Sequence, residues 1–203
     1  MLEFNKLYNK YKSDGKFIPP ATIEKTEKAI TASTNYRLDS LNDDLIANRI
    51  SLQKWEREFA KELKTLHVKK ALISRGGKNI ATPEDWLSIG RDLKTEYKYL
   101  HQMATEIKNG TVSEAQLKAR TKLYTERSRL AGETMKQANA KESDLVYMMR
   151  KLGATDRNCQ ECLSYAAAGL KRIGELPLPT VACSCRANCK CSVQYFGSRV
   201  RGL

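Results

Sequence analysis

Residues 82–110 read TPEDWLSIGRDLKTEYKYLHQMATEIKNG, and this stretch decides the fold class. Thr82 is a good helix N-cap, Pro83 suits the first helical position, and Glu84 and Asp85 set negative charge against the positive end of the helix dipole. Trp86, Ile89, Leu93, Tyr97, Leu100 and Ile107 then recur at steps of three, four and seven and line one helical face. Asn109-Gly110 stops the pattern. A helix with a single apolar stripe, here including Trp86 as a core residue, must bury it against other elements.

The same logic extends outward. Upstream, Gly76-Gly77 closes a helix that Ser51 caps, with Leu52, Trp55, Phe59, Leu63 and Leu66 on one face and Ile73 extending it. Asn48-Arg49-Ile50 makes a turn, and before it Ile23, Ile30, Leu38, Leu41 and Leu45 share a face from Thr22 on. Pro19-Pro20 breaks any helix, so residues 1–21 read as a boundary or an extended N-terminal arm, in which Glu3 to about Lys12 could form a short helix. Downstream, Ser113 and Gln116 form a capping box for a helix carrying Leu117, Leu123, Tyr124 and Leu130 to about Ala140. A short segment, Leu145 to Leu152, follows. The expected fold is mainly α: an elongated bundle of about four helices over residues 22–152. A coiled coil is the competing architecture, but no heptad persists long enough to favour it.

Composition narrows the class further. Of 203 residues, 41% are hydrophobic, enough for a modest core, and mean hydropathy is -0.56. No apolar run is as long as a membrane span, so no membrane partner is expected. The polar start, Met1-Leu2-Glu3-Phe4-Asn5-Lys6, does not read as a secretory signal, which points to the cytoplasm of the producing cell, or to a particle assembled there. Lys and Arg total 36 against 23 Asp and Glu, a net charge of +13. The basic residues are scattered, which fits either a solvated surface or proximity to DNA or an acidic protein.

All six cysteines fall between Cys159 and Cys191, and the 158 residues before them have none. A disulfide framework would staple a whole small chain, whereas a terminal cluster points to a local metal site. Cys159-Gln-Glu-Cys162 is followed, after twenty residues, by Cys183-Ser-Cys185-Arg-Ala-Asn-Cys189-Lys-Cys191. A Cys-x-x-Cys turn presents two thiolates to one ion, and a second cysteine group completes a tetrahedron, for which zinc is the fitting metal. The expected ligands are Cys159, Cys162, Cys185 and Cys189, with Cys191 as first reserve and Cys183 as second; a Cys-x-Cys pair can also chelate, so Cys189 with Cys191 is the alternative. Around them, residues 153–196 form a knob. Its large apolar side chains are few: Leu163, Tyr165, Leu170, Ile173, Leu176, Val181, Val193, Tyr195 and Phe196. Metal ligation would provide most of its folding energy. Residues 192–196 alternate as a strand, and 197–203 read as a flexible basic tail.

These motifs, in this order, resemble the Mu-F-like minor head, or head morphogenesis, proteins of tailed bacteriophages. The C-terminal part of the resemblance is Leu152-Gly153, Cys159-x-x-Cys162, Leu176-Pro177 and Cys185-Arg-Ala-Asn-Cys189-Lys-Cys191. The helical part is Asn48-Arg49-Ile50-Ser51-Leu52-x-x-Trp55, Gly76-Gly77 with Trp86, Tyr97-x-Tyr99-Leu100, Ile107-x-x-Gly110 and Ala119-Arg120-x-x-x-Tyr124. Together they cover residues 36–196. The resemblance implies a virion protein of the head or neck, built into a large symmetric assembly. Its partners would be portal or capsid proteins, and its role DNA packaging or delivery. The chain departs from the family in the extra Cys183 and in being shorter than many members.

No catalytic set is visible. His67 and His101 lie on expected helices far from the cysteines and read as surface or interface residues, and a four-thiolate site has no open position for water. The alternative function is a zinc-stabilised DNA-binding protein, using Lys171, Arg172, Arg186 and Lys190 of the knob and Arg199 and Arg201 of the tail on phosphates.

Overall fold

A computed structural model describes residues 2–5 and 10–198. The protein is mainly helical, with two small antiparallel sheets and a C-terminal cysteine cluster. The long helices are α1 (Pro20–Ile46), α2 (Leu52–Arg75), α3 (Pro83–Lys108), α4 (Glu114–Arg127) and α5 (Arg129–Lys141). No described helix is long and apolar enough to cross a membrane.

The starts and stops follow local chemistry. Ser51 caps α2 by accepting from the Lys54 amide at 3.2 Å, and Gly76 ends it in the left-handed conformation. Thr82 with Asp85 and Ser113 with Gln116 form reciprocal capping boxes at the starts of α3 and α4.

Helix α2 is the central element, packed by α1, α3 and α5. Its face of Trp55, Phe59, Leu63 and Leu66 is fully buried. A satisfied polar chain crosses this core. The Trp55 indole donates to the Asn42 side-chain oxygen at 3.0 Å, and the Asn42 amide donates to the Thr121 hydroxyl at 2.9 Å, joining α1, α2 and α4. At the other end, buried Arg75 bonds Asp85, Asn139 and Glu142, joining α2 to α3, to α5 and to the residue that caps α5.

Several expectations are corrected. The described residues of the arm before Pro19 are extended, not helical: β1 (Leu2–Asn5), β2 (Lys10–Ser13) and β3 (Lys16–Phe17) form an antiparallel sheet, while Pro20 does not break a helix but starts α1, at a position where a missing N–H costs nothing. Asp14-Gly15, both at positive φ, make the two-residue hairpin turn, a signal that outweighs local helix propensity. The sheet docks on the end of α2, where the Tyr11 hydroxyl donates to the Ile73 carbonyl at 2.6 Å and the Phe4 ring lies against Gly76.

The helix expected to run from Ser113 to Ala140 is interrupted at Ser128, whose hydroxyl bonds the Thr125 carbonyl at 2.5 Å. Trp86 is 36% exposed, because the inward position of the first turn of α3 is taken by Asp85, held by Arg75. His67 is not at the surface but buried on α2, and its ring nitrogens find no hydrogen-bond partner among the described residues.

Residues 145–151 form β4 (Leu145–Lys151), the middle strand of a second sheet. It is flanked by β5 (Lys171–Arg172) and β6 (Ser192–Gly197), and a helix α6 (Gln160–Ala167) lies between β4 and β5 in the chain. The alternation seen at 192–196 is thus a strand. Its partner β4 lies in the stretch read as the end of the helical domain, so the knob's sheet begins before residue 153. Met148, Leu176 and Val193 form the small apolar core of this end, whereas Leu163 and Val181 are exposed.

Candidate metal centre

The first two cysteines sit at the start of α6. Cys159 occupies the N-cap with extended backbone and Cys162 lies in the first turn, so both thiols reach the same side of the helix N-terminus, whose amides favour negative sulfur. Asn158 shapes the approach, its side-chain amide donating to the Thr155 carbonyl at 2.9 Å.

The other four cysteines lie on a tightly coiled segment. Thr180 and Arg186 both adopt positive φ, uncommon for such residues. Three turn bonds follow: the Arg186 amide to the Cys183 carbonyl, the Asn188 amide to Cys185 and the Cys189 amide to Arg186, at 3.0–3.1 Å. The Tyr165 hydroxyl on α6 donates to the Ala182 carbonyl at 2.9 Å and ties this segment to the first cysteine pair. Cys191 leads directly into β6.

All six thiols are free. The sulfurs of Cys159, Cys162, Cys183 and Cys185 lie within 4.8 Å of one another, and so do those of Cys162, Cys189 and Cys191. The expected quartet of Cys159, Cys162, Cys185 and Cys189 is not one of these groups. Cys183, the last reserve, stands in the foursome, and Cys189 groups with Cys191, the alternative Cys-x-Cys pair. Each Cys-x-Cys pair, Cys183 with Cys185 and Cys189 with Cys191, stays together, whereas the expected quartet takes one cysteine from each.

A tetrahedral zinc with bonds of about 2.3 Å needs sulfurs about 3.8 Å apart; the sulfurs within each group are no more than 4.8 Å apart, and those of Cys162 and Cys189 are 3.6 Å apart. An all-thiol donor set suits zinc, or another thiophilic ion. The cluster therefore fits a metal, with zinc as the candidate.

The electrostatics favour thiolates unevenly. Burial opposes the Cys159 thiolate, but hydrogen bonds from Cys185 and from the backbone of Cys162 and Cys185 bring its pKa down to about 7. Burial likewise opposes ionisation of Cys189, yet the backbone at Cys191, the Cys162 thiol and the backbone at Thr180 lower it. The fully buried Cys162 is pushed far up, first by burial and then by its thiol neighbours. Glu161, inside the Cys-x-x-Cys, is drawn down to about 2 by backbone and Cys159 hydrogen bonds and by the Ser184 hydroxyl at 2.9 Å.

Residues with no cysteine-like signature hold the cluster to the helices. The Arg129 guanidinium, at the start of α5, donates to the Cys189 carbonyl at 2.6 Å and to the Cys191 carbonyl. Lys190 pairs with Glu126 of α4 at 3.3 Å. Gly153 lies so close to the Lys190 backbone that a Cβ would stand 2.7 Å from its carbonyl carbon. Neither periodicity nor spacing marks Arg129.

Of the expected phosphate-contacting residues, Lys171, Arg172 and Arg186 are exposed on the knob. Lys190 is engaged by Glu126, and Arg199 and Arg201 lie outside the described residues. His67 and His101 lie on α2 and α3, and His101 pairs with Glu56 at 3.0 Å. Comparison with known proteins returns no match to a family model, to a curated protein or to a solved structure.

Proposed function

We propose that this is a structural, non-enzymatic protein of a tailed bacteriophage head or neck, a helical bundle whose C-terminal knob is held by zinc. The carrying observation is the convergence of six free thiols where, among the described residues, the local apolar core has just three buried side chains, Met148, Leu176 and Val193, with Tyr165, Ile173, Leu178 and Tyr195 partly buried against them. When bound, the metal supplies the folding energy that so small a core lacks. The ordered motif resemblance over residues 36–196 supports the virion assignment, with portal or capsid proteins as partners, a place in a large symmetric assembly, and a part in DNA packaging or delivery. Four thiolates on an ion leave no open position for water, which favours a structural over a catalytic role. The test is mass spectrometry of purified virions together with metal analysis of the recombinant chain. Detection of this chain in the particle, and nuclease-insensitive co-purification with portal or capsid protein, is the expected result. Absence from the particle, or a reduced chain that orders its knob without metal, refutes the reading.

A second reading, a zinc-stabilised DNA-binding protein, draws on the exposed Lys171, Arg172 and Arg186 and on the net charge of +13. Its mark is binding to random-sequence DNA that falls steeply as salt rises.

A further inference from the structure

A single structural zinc takes four cysteines and leaves two of the six without a role. The two outside the foursome are not peripheral. Cys189 and Cys191 are each 1% exposed, more deeply buried than Cys159, Cys183 or Cys185. They converge on the sulfur that the foursome also uses: Cys162 belongs to both groups, and its Sγ lies 3.6 Å from that of Cys189. That separation is far beyond the roughly 2.05 Å of a disulfide and close to the edge of a zinc–thiolate tetrahedron.

Two tetrahedra sharing one corner have seven ligand positions. Six cysteines, with Cys162 at the shared corner, fill four at one ion and three at the other. The remaining position has a placed oxygen beside it. The Asn158 side-chain amide is tethered through its nitrogen to the Thr155 carbonyl, which turns its Oδ1 toward Cys191, 3.7 Å from that Sγ. An edge between a sulfur and an oxygen ligand of zinc is about 3.6 Å.

We propose that the cluster binds two divalent, thiophilic metal ions bridged by the Cys162 thiolate. One ion is held by Cys159, Cys162, Cys183 and Cys185. The other is held by Cys162, Cys189 and Cys191, with the Asn158 carboxamide closing its shell. Each ion displaces thiol protons to solvent as it binds, and no redox step is involved. The second ion ties the first turn of α6 to the segment entering β6. This inference rests on the metal-binding reading above and goes beyond it in stoichiometry and connectivity.

The test uses the full chain, reduced and loaded with zinc, and counts metal by native mass spectrometry. Two ions per chain are expected, and Cys191→Ser should retain one while keeping the helical circular dichroism. Replacement by 113Cd should give two resonances coupled to each other through the shared sulfur. One ion per chain overturns the two-ion site while leaving a single structural zinc intact. No ion removes both readings. Two resonances without mutual coupling overturn the bridge.

Discussion

The Arg129 guanidinium at the start of α5 donates to the backbone carbonyl of Cys189 at 2.6 Å. A charged donor from the helical body thereby fixes the backbone on which two of the candidate metal ligands hang. Removing it leaves the Cys189 and Cys191 carbonyls without that donor. Arg129→Ala is expected to cost about 2 kcal/mol and to loosen the knob selectively. Amide hydrogen exchange checks this: protection in β4 and β6 should fall while that of α2 is kept. Equal loss in both regions would show that the contact does not couple knob to body.

Chelation should act on the same end of the molecule. Stripping the metal is expected to expose Met148 and Val193 and abolish protection around residues 159–193, with most far-ultraviolet helical signal retained. The core of Trp55, Phe59, Leu63 and Leu100 is independent of the cysteines. Because protons compete with metal for thiolates, acidification should reproduce the effect and added zinc should oppose it. A single cooperative collapse of the whole chain on chelation would contradict it.

The buried chain of Trp55, Asn42 and Thr121 offers a stability test remote from the cysteines. Asn42→Ala strands the indole N–H and leaves a small cavity, so a loss of about 2–4 kcal/mol is expected in urea denaturation. Thr121→Val removes the other partner and should cost less, since the Asn42 oxygen still accepts from Trp55. The two losses should not add, because both disturb one network.

Two buried titrating groups on neighbouring helices pull stability in opposite directions with pH. Burial, then Lys70 and Arg127, lowers the His67 pKa from 6.5 to about 4. Its contribution is present above pH 6.5 and is lost as pH falls through 4. Burial raises Glu96 from 4.5 to about 7 despite its pairing with Arg127 at 2.5 Å. Its contribution is present below pH 4.5 and is lost as pH rises through 7. Each amounts to about 3 kcal/mol. Glu96→Gln should therefore leave stability rising between pH 4 and 6.5, and His67→Leu should leave it falling between 4.5 and 7. Proton competition at the cysteines cancels when the variants are compared with the parent chain. Parallel pH profiles in all three proteins would refute the opposition.

Much of the helical body was legible in the residues. Thr82-Pro83, Ser51, Gly76 and Ser113 mark helix ends because capping is decided within one turn of chain. The three- and four-residue stripes of α2 and α3 name most of the core for the same local reason. Trp86 misled because the stripe cannot tell which side chain is drawn inward when a buried Arg75 claims Asp85. The N-terminal sheet was hidden in two short alternations whose one strong signal, Asp14-Gly15, is a turn and not a strand.

Local sequence is enough to read that this chain builds capped amphipathic helices and gathers its cysteines at one end. Those properties depend on neighbours a few residues apart. The packing of the elements in space sets the rest: Cys162 belongs to both thiol groups, Cys183 joins the foursome, and Arg129, sixty residues from Cys189, holds the knob to the helices. Such pairings depend on how separate elements pack in space, and no periodicity along the chain encodes that distance.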